Sequence, residues 1–173
     1  AYAFSDCVSL QQINLPSKLT TIGGYAFENC NDLTSVIIPS SVTLIGQNAF
    51  FECSSLTSIE VSKDNTTYTS INGVLYTKDM KTLIRYPTRK ADIAFEIPNS
   101  VTSIIEHAFA NCYSLTSITI PNSVISIDPY TFYYCTNLTI FCEAESEPSG
   151  WLRYWNYSKL PVVWDCNNTD VAN

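Results

Sequence analysis

The sequence predicts a right-handed, β-rich solenoid, in which short coils of one shape stack on each other. Two observations predict it. The stretch from Leu33 to Pro39 reads Leu-x-x-Val-x-Ile-Pro, and a similar stretch recurs 23 residues later from Leu56 and again from Leu115. Each full copy also carries a phenylalanine and a cysteine at fixed positions before that leucine. A period of this size indicates one supersecondary unit that buries its apolar face only against neighbouring copies.

Each unit is predicted to contain three elements. The alternating segment that ends at Ile38 and Pro39 is typical of a half-buried strand that proline terminates. The Ser-Val-x-x-Ile-Gly segment after it predicts a turn and a second short extended segment. The Ala-Phe-x-x-Cys segment, as at Phe27 and Cys30, predicts a single tight helical turn. Because stacked strands lie about 4.8 Å apart, equivalent residues are expected to form columns through the core.

The period is broken once, between Ser62 and Pro98, where one coil is 13 residues longer than the others. This enlarged coil contains two short apolar runs, 73–76 and 83–87, joined by a polar turn. That arrangement predicts a β-hairpin projecting from the stack. The segment 64–67 before it is expected to be a loop.

One domain accounts for nearly the whole chain, and the repeat gives no reason to divide it. Ala1 falls inside a repeat, so the chain is expected to be a piece of a longer polypeptide. Three tryptophans near the end, Trp151, Trp155 and Trp164, predict a terminal cap. The predicted solenoid spans 1–166 in about six rungs, with repeats over 1–61, the enlarged coil over 62–98, repeats over 99–141, a cap over 142–166 and a tail over 167–173.

Charge and hydropathy exclude several partner classes. The net charge is −7 and the pI is near 4.5, so the chain lacks the basic footprint needed to bind nucleic acid. The same sign argues against binding to anionic membrane surfaces. No apolar run approaches the roughly 20 residues needed to span a bilayer, so no membrane insertion is expected in this segment.

The combined motif resembles a known family. The stretch from Ala26 to Pro39, with its copies around Phe50, Phe109 and Phe132, resembles the BspA-like leucine-rich repeats of bacterial and some protist surface proteins. The insert 72–76 with its partner 83–87, and the ending from Cys142 to Trp164, also look like elements of that family. The resemblance covers roughly residues 1–166.

The resemblance implies a leucine-rich repeat right-handed solenoid with a parallel sheet on one face and short strands, turns and single helical turns on the other. It implies secreted or surface-anchored proteins that act in adhesion, and it implies no catalytic residues. Pro39 and Pro121 stand where common leucine-rich repeats place an asparagine. The convex side is therefore expected to lack long helices.

Five of the seven cysteines occupy the same repeat position: Cys7, Cys30, Cys53, Cys112 and Cys135. A metal site would need close pairs such as Cys-x-x-Cys, which the sequence does not contain. These thiols are therefore interpreted as small apolar core residues. Cys142 and Cys166 lie outside the column, and whether they form a disulfide stays open at this point.

Other candidate chemistry is weaker. The single histidine, His107, lies near Cys112 in the sequence. A Cys–His nucleophile pair is disfavoured because the Cys112 thiol is expected to point into the core with the other cysteines of the column. The alternating carboxylates Glu143, Glu145 and Glu147 suggest either a calcium site or a solvated acidic loop, and the loop is favoured. The prediction is therefore no enzyme, with no catalytic, cofactor-binding or metal-binding residues.

The candidate contact surface is the outward face of the predicted sheet. Its side chains are mostly small, polar and uncharged: Gln12, Asn14, Ser35, Ile37, Ser58, Glu60, Ser117 and Thr119. Such a face suits many weak contacts with a protein, and a glycan is a second possibility. The sequence thus predicts a non-catalytic extracellular module for protein binding or adhesion at a cell surface. The alternatives are a structural spacer in a larger surface protein and an accessory module of a secreted enzyme.

Overall fold

The structure, a computed structural model, describes residues 1–167. It is a β-solenoid of about six turns, and no helix occurs among these residues. The strands, in chain order, are β1 (Thr21–Ile22), β2 (Ser35–Ile38), β3 (Leu44–Ile45), β4 (Ser58–Val61), β5 (Tyr68–Ile71), β6 (Val74–Thr77), β7 (Thr82–Arg85), β8 (Ala94–Glu96), β9 (Ser103–Ile104), β10 (Ser117–Ile120), β11 (Ser126–Ile127), β12 (Thr139–Cys142) and β13 (Val162–Val163).

The predicted strand of the repeat builds a parallel sheet on one side of the solenoid, here called the sheet side. β2 pairs with β4, and Ser35 lies beside Ser58 at the spacing of the repeat. Beyond the enlarged coil the sheet resumes in the order β8–β10–β12–β13. Ser117 lies beside Thr139, one residue short of the regular spacing. The alternating burial of β2, with Val36 and Ile38 inside, confirms the half-buried strand.

The second extended segment of each unit also forms a parallel ladder. β1 pairs with β3 before the enlarged coil, and β9 pairs with β11 after it. These strands have only two residues each, because the turns on both sides leave room for no more. The four regular coils over 19–61 and 101–142 therefore each contribute one strand of two residues to this ladder and one strand of four residues to the sheet side.

The third side, here called the turn side, differs from the prediction. The expected single helical turn is replaced by tight turns, because the residues two before and two after each phenylalanine lie in the left-handed region. Around Phe27 these residues are Tyr25 (φ 55°) and Asn29 (φ 56°). Such residues interrupt a right-handed helix. Their amides instead donate to the next coil, as from Tyr25 N to the Gln47 carbonyl oxygen at 3.0 Å.

Equivalent aromatic residues lie in file, as the sequence predicts. The rings of Phe27 and Phe50 stack with centroids 5.5 Å apart, and those of Phe109 and Phe132 with centroids 5.4 Å apart. The file is divided by the enlarged coil, where Tyr86 takes the phenylalanine position and stacks on Phe109 at 5.3 Å. Stacked aromatic rings at this spacing are favourable beyond their burial.

The cysteine column is confirmed as core. Cys30, Cys53, Cys112 and Cys135 are buried, whereas Cys7 is exposed in the first described coil. The Cys53 thiol donates to the Phe27 carbonyl oxygen at 3.1 Å, and Cys135 donates to Phe109 at 3.0 Å. In the cap, Ser158 makes the same bond to the Phe132 carbonyl oxygen at 3.2 Å. At Cys30, Cys53 and Cys135 the column therefore satisfies a backbone acceptor of the preceding coil as well as filling space.

The enlarged coil contains the predicted antiparallel hairpin, formed by β6 and β7. β5 adds a further antiparallel strand through the tight turn at Asn72 and Gly73, both of which have positive φ. The expectation that the hairpin projects from the stack is wrong. Val74, Leu75 and Tyr76 are all fully buried, because β6 lies inside the solenoid.

β6 separates two hydrophobic cores. Leu75 belongs to the cluster of the N-terminal coils, together with Val36 and Ile59. Its neighbours Val74 and Tyr76 belong to the cluster of the C-terminal coils. Successive side chains of a strand point to opposite faces, so a fully apolar run lets this strand serve as a wall for both cores.

The last described residues cover the final coil. Trp155 continues the aromatic file and meets the Phe132 ring edge-on at 6.1 Å, and Trp151 donates from Nε1 to the Val124 carbonyl oxygen at 3.1 Å. Cys142 and Cys166 are both free thiols. Of the predicted tail 167–173, only Asn167 lies among the described residues.

Candidate functional site

All eight residues of the predicted contact row point away from the core. Gln12, Asn14, Ser35, Ile37 and Glu60 are exposed, and Ser58, Ser117 and Thr119 are partly exposed. Ile37 exposes 65% of its surface. The row is thus brought to one side of the solenoid, as the alternation along each strand requires.

The face is not one continuous sheet, because the enlarged coil divides it. The amide of Ile59 in β4 donates to the Gly73 carbonyl oxygen at 2.9 Å, and the amide of Val61 donates to Ser70 Oγ at 3.0 Å. β4 is therefore covered by the turn of β5 and β6 rather than by β8. The edge of β8 lies open beyond it.

Between the two halves of the sheet lies a groove of about 600 Å³, here called the junction groove. Glu60 and Ile71 line its N-terminal wall, and Phe95 and Glu96 line its C-terminal wall. Ile71 is exposed on the rim, and Phe95 packs partly against the C-terminal core. The groove therefore combines apolar walls with a carboxylate on each side.

Polar contacts hold the charges around the junction groove in place. Ser70 Oγ donates to Glu60 at 3.2 Å, and Lys90 forms an ion pair with Asp92 at 3.2 Å. The buried hydroxyl of Tyr86 donates to Asp92 at 3.0 Å, and its burial raises the pKa of Tyr86. Asp92 thus accepts from two partners, which fixes one wall of the groove.

Sequence reasoning missed three members of the outward row. Glu96 lies beside Thr119, Thr119 lies beside Phe141, and Phe141 lies beside Val163. Extending the strand register from Thr119 to the neighbouring strands would have identified Glu96 and Phe141. Val163 lies beyond the recognisable repeat. These additions make the C-terminal part of the row more apolar than predicted.

Arg85 is a further residue that sequence reasoning missed, and it is buried at the break between the two stacks of coils. Its guanidinium donates to the His107 carbonyl oxygen, to Thr88 Oγ1 at 2.8 Å and to the Ala110 carbonyl oxygen at 3.4 Å. Burial lowers its pKa, since the partners are neutral oxygens rather than a carboxylate. Arg85 therefore ties the enlarged coil to the coil that follows.

The other candidate groups do not form a reactive centre. The Cys112 thiol contacts the Ala110 carbonyl oxygen at 3.8 Å rather than an imidazole. Glu143 accepts from the Asn122 amide at 3.0 Å and from Asn167 at 3.0 Å, while Glu145 and Glu147 are exposed. Within residues 1–167, no three His, Cys, Asp or Glu side chains converge as a metal-binding group, and no helix is long and apolar enough to cross a membrane.

A family model decides the classification. The model for the BspA type leucine rich repeat region matches six copies over residues 1–84 and 91–146. The chain belongs to the BspA-type leucine-rich repeat family. Of the enlarged coil, only residues 85–90 fall between the two matched stretches, so BspA-type repeats account for most of the molecule. A comparison with curated proteins finds no significant match.

Three solved structures that are similar to this chain come from bacteria. A leucine rich cell surface protein from Faecalibacterium prausnitzii is 39% identical with a TM-score of 0.69, over 80% of this chain and 35% of that chain. A leucine-rich repeat protein from Eubacterium ventriosum is 27% identical with a TM-score of 0.67, over 90% of this chain and 52% of that one. The pneumococcal vaccine antigen PcpA, at 24% identity and a TM-score of 0.64 over 86% and 47% of the two chains, shares the fold. The present chain thus spans about a third to a half of these proteins.

Proposed function

We propose that the chain is a non-catalytic, extracellular protein-binding module of a cell-surface protein, and that the sheet side is its contact surface. The observation that carries this proposal is the outward row of mostly uncharged side chains, which leads into the junction groove on the same side. The groove offers partly exposed apolar atoms from Ile71 and Phe95, the kind of surface that marks a contact site. The likeness to a bacterial cell surface protein supports the extracellular location.

The electrostatics of this face favour a protein over nucleic acid. Glu60 and Glu96 are the charged members of the outward row, so the face repels a phosphate backbone. Small hydroxyl side chains such as Ser35 and Ser117 leave the strands accessible to close approach. A solenoid face of this kind gains affinity from many weak contacts spread over several coils.

The test measures binding of the folded protein to immobilised fibronectin, fibrinogen, collagen and laminin by interferometry. Ser117→Arg places a bulky cation in the middle of the outward row, and we expect it to abolish the binding seen with the unchanged protein. Ser126→Arg is the matched control, because Ser126 is equally half-exposed in a parallel strand of the other ladder. Circular dichroism and thermal unfolding establish that both variants are folded.

Two results would contradict the proposal. Equal loss of binding in Ser117→Arg and Ser126→Arg would remove the sheet side as the contact surface. A folded sample that binds none of the four matrix proteins would favour the spacer role instead.

A further inference from the structure

A second recess lies on the turn side, where the enlarged coil interrupts the ladder between coils. The cleft has a volume of about 430 Å³ and is here called the aromatic cleft. Phe51 comes from the coil before the break, and His107 comes from the coil after it. Their rings meet across the break with centroids 4.6 Å apart. The cleft therefore lies at the interruption of the stack.

Tyrosine rings form the C-terminal wall of the aromatic cleft. Tyr130 stacks on His107 with centroids 5.8 Å apart, and Tyr133 meets the same imidazole edge-on at 5.8 Å. Tyr157 closes the wall, with its ring centroid 5.2 Å from that of Tyr130 and 5.8 Å from that of Tyr133. The rings of this wall are thus positioned by packing against one another.

One ring of the cleft, and two tyrosine rings beside it that do not line it, are largely exposed. Tyr157 exposes 51% of its surface, and the adjacent Tyr134 and Tyr154 expose 54% and 45%. In the core the same chain buries its aromatic rings almost completely, as at Phe109. A patch of exposed aromatic residues around a recess is typical of a recognition surface.

The aromatic cleft is negatively charged. Glu52 and Glu106 line it, and no lysine or arginine of the described chain does. Glu106 accepts from Gln47, whereas Glu52 has no hydrogen-bond or ion-pair partner among the described residues. Burial lowers the pKa of His107, so the imidazole adds no positive charge at neutral pH. The cleft therefore presents two carboxylates and several π faces.

We propose that the aromatic cleft binds a basic side chain, lysine or arginine, presented by a partner protein. A cation is attracted by the negative face of tyrosine and phenylalanine rings within about 6 Å of the centroid. The carboxylate of Glu52 supplies the ion-pair partner. Charge complementarity thus selects a cationic group. The aromatic rings favour an organic cation over a hydrated metal ion, because the side chain can lie against the ring faces. This inference goes beyond the sheet-side proposal, since it concerns a different side of the solenoid and holds or fails independently of it.

The test titrates a hexalysine peptide into the protein and follows the backbone amide signals of the cleft by NMR. We expect saturable shifts at His107, Tyr130 and Tyr133. Tyr157→Ala removes one exposed ring and no charge, and it should weaken binding about three- to tenfold. Glu52→Gln keeps the shape and removes one charge, and it should weaken binding about two- to fivefold at low salt.

Two matched controls separate the cleft from general attraction by an acidic protein. Tyr2→Ala removes a tyrosine that is 58% exposed and stacked on Tyr25 at the far end of the solenoid. Glu145→Gln removes an exposed carboxylate in the acidic loop. Both controls should change the dissociation constant by less than about twofold.

The proposal is overturned by any of three outcomes. Equal weakening in Glu145→Gln and Glu52→Gln would mean that net charge alone attracts the peptide. Unchanged binding in Tyr157→Ala would mean that the rings play no part. Shifts at Tyr130 and Tyr133 on adding chitohexaose, with none on adding hexalysine, would make the cleft a glycan site. A hexaglutamate peptide and a neutral Gly–Ser peptide should produce no shifts.

Discussion

The side-chain amide of Asn65 donates to the carbonyl oxygen of Val42 at 2.9 Å, across the boundary between the last regular coil and the enlarged one. The same nitrogen donates to the Pro39 carbonyl oxygen at 2.8 Å. The Oδ1 atom accepts from the amides of Thr67 at 2.8 Å and Tyr68 at 2.7 Å. Asn65 is 1% exposed, so all four of its hydrogen bonds are made inside the protein. The single side chain of Asn65 thus supplies hydrogen-bond partners to backbone groups that, between two regular coils, would pair with the next coil.

Asn65→Ala should reduce the free energy of unfolding by roughly 2–4 kcal/mol, because several buried backbone groups lose their partners together. Urea unfolding monitored by tryptophan fluorescence measures this loss. Asn137→Ala is the control, since Asn137 is exposed, and it should change stability by less than about 0.5 kcal/mol. Similar losses in the two variants would contradict the role given to Asn65.

Leu75 and Leu83 test whether β6 separates two cores. Both are fully buried, but Leu75 belongs to the N-terminal cluster and Leu83 to the C-terminal cluster. Each change to alanine should cost about 2–5 kcal/mol. In amide hydrogen exchange, Leu75→Ala should reduce protection chiefly at Val36 and Ile59, and Leu83→Ala chiefly at Ile104. Loss of protection spread evenly over both halves in both variants would argue for a single core.

Thiol reactivity should follow burial. Burial raises the pKa of Cys30 to about 11 and that of Cys53 and Cys142 to about 12, which leaves little thiolate at pH 8. In the native protein, a thiol-specific disulfide reagent should therefore modify Cys7 first and Cys166 next. The buried thiols should react only on unfolding.

Peptide mapping by mass spectrometry identifies the labelled thiols. Cys7→Ser should remove the fastest phase and leave the others unchanged. Labelling of Cys53 as fast as Cys7 would show that the column opens in the native state.

His107 should make stability depend on pH. Burial lowers its pKa, the nearby Arg85 lowers it further, and Glu106 opposes both. The unfolded chain then binds more protons than the folded one between the folded pKa and about 6.5. The free energy of unfolding should therefore fall as the pH falls through that window.

The matched variant is His107→Asn, because Asn48 occupies the equivalent left-handed position (φ 56°) in the regular coil that precedes the enlarged one. Urea unfolding at several pH values between about 5 and 7 should show a shallower slope in the variant. Identical slopes would mean that His107 titrates alike in both states.

Periodicity made the regular parts of the fold predictable. Spacing alone places Phe27 on Phe50 and Ser35 beside Ser58, since each coil sees only its neighbours. The sequence predicts a helical turn at Phe27 because left-handed residues such as Tyr25 carry no composition signal of their own. The sequence does not identify Tyr86 as the aromatic position of the enlarged coil, because the extra residues of that coil break the 23-residue spacing.

The hairpin was misplaced because its polar turn at Lys78 and Asp79 suggests a surface element. The better signal is the uninterrupted apolar run 74–76, which is typical of a strand buried on both faces. The outward row followed from alternation along each strand. Neither recess could be predicted from that alternation. The break in the stack alone brings together Phe51 and Tyr157 in the aromatic cleft, and Glu60 and Glu96 in the junction groove.

A single lengthened coil creates both recesses, one on each side of the molecule. The residues of both recesses come from Val42 onward, so duplicating or deleting a coil that precedes Val42 would change the reach of the protein while leaving β6 and its flanking recesses intact. The length of the solenoid and the chemistry of its recesses can therefore evolve separately. The number of coils sets the length, whereas the enlarged coil sets where the two recesses lie.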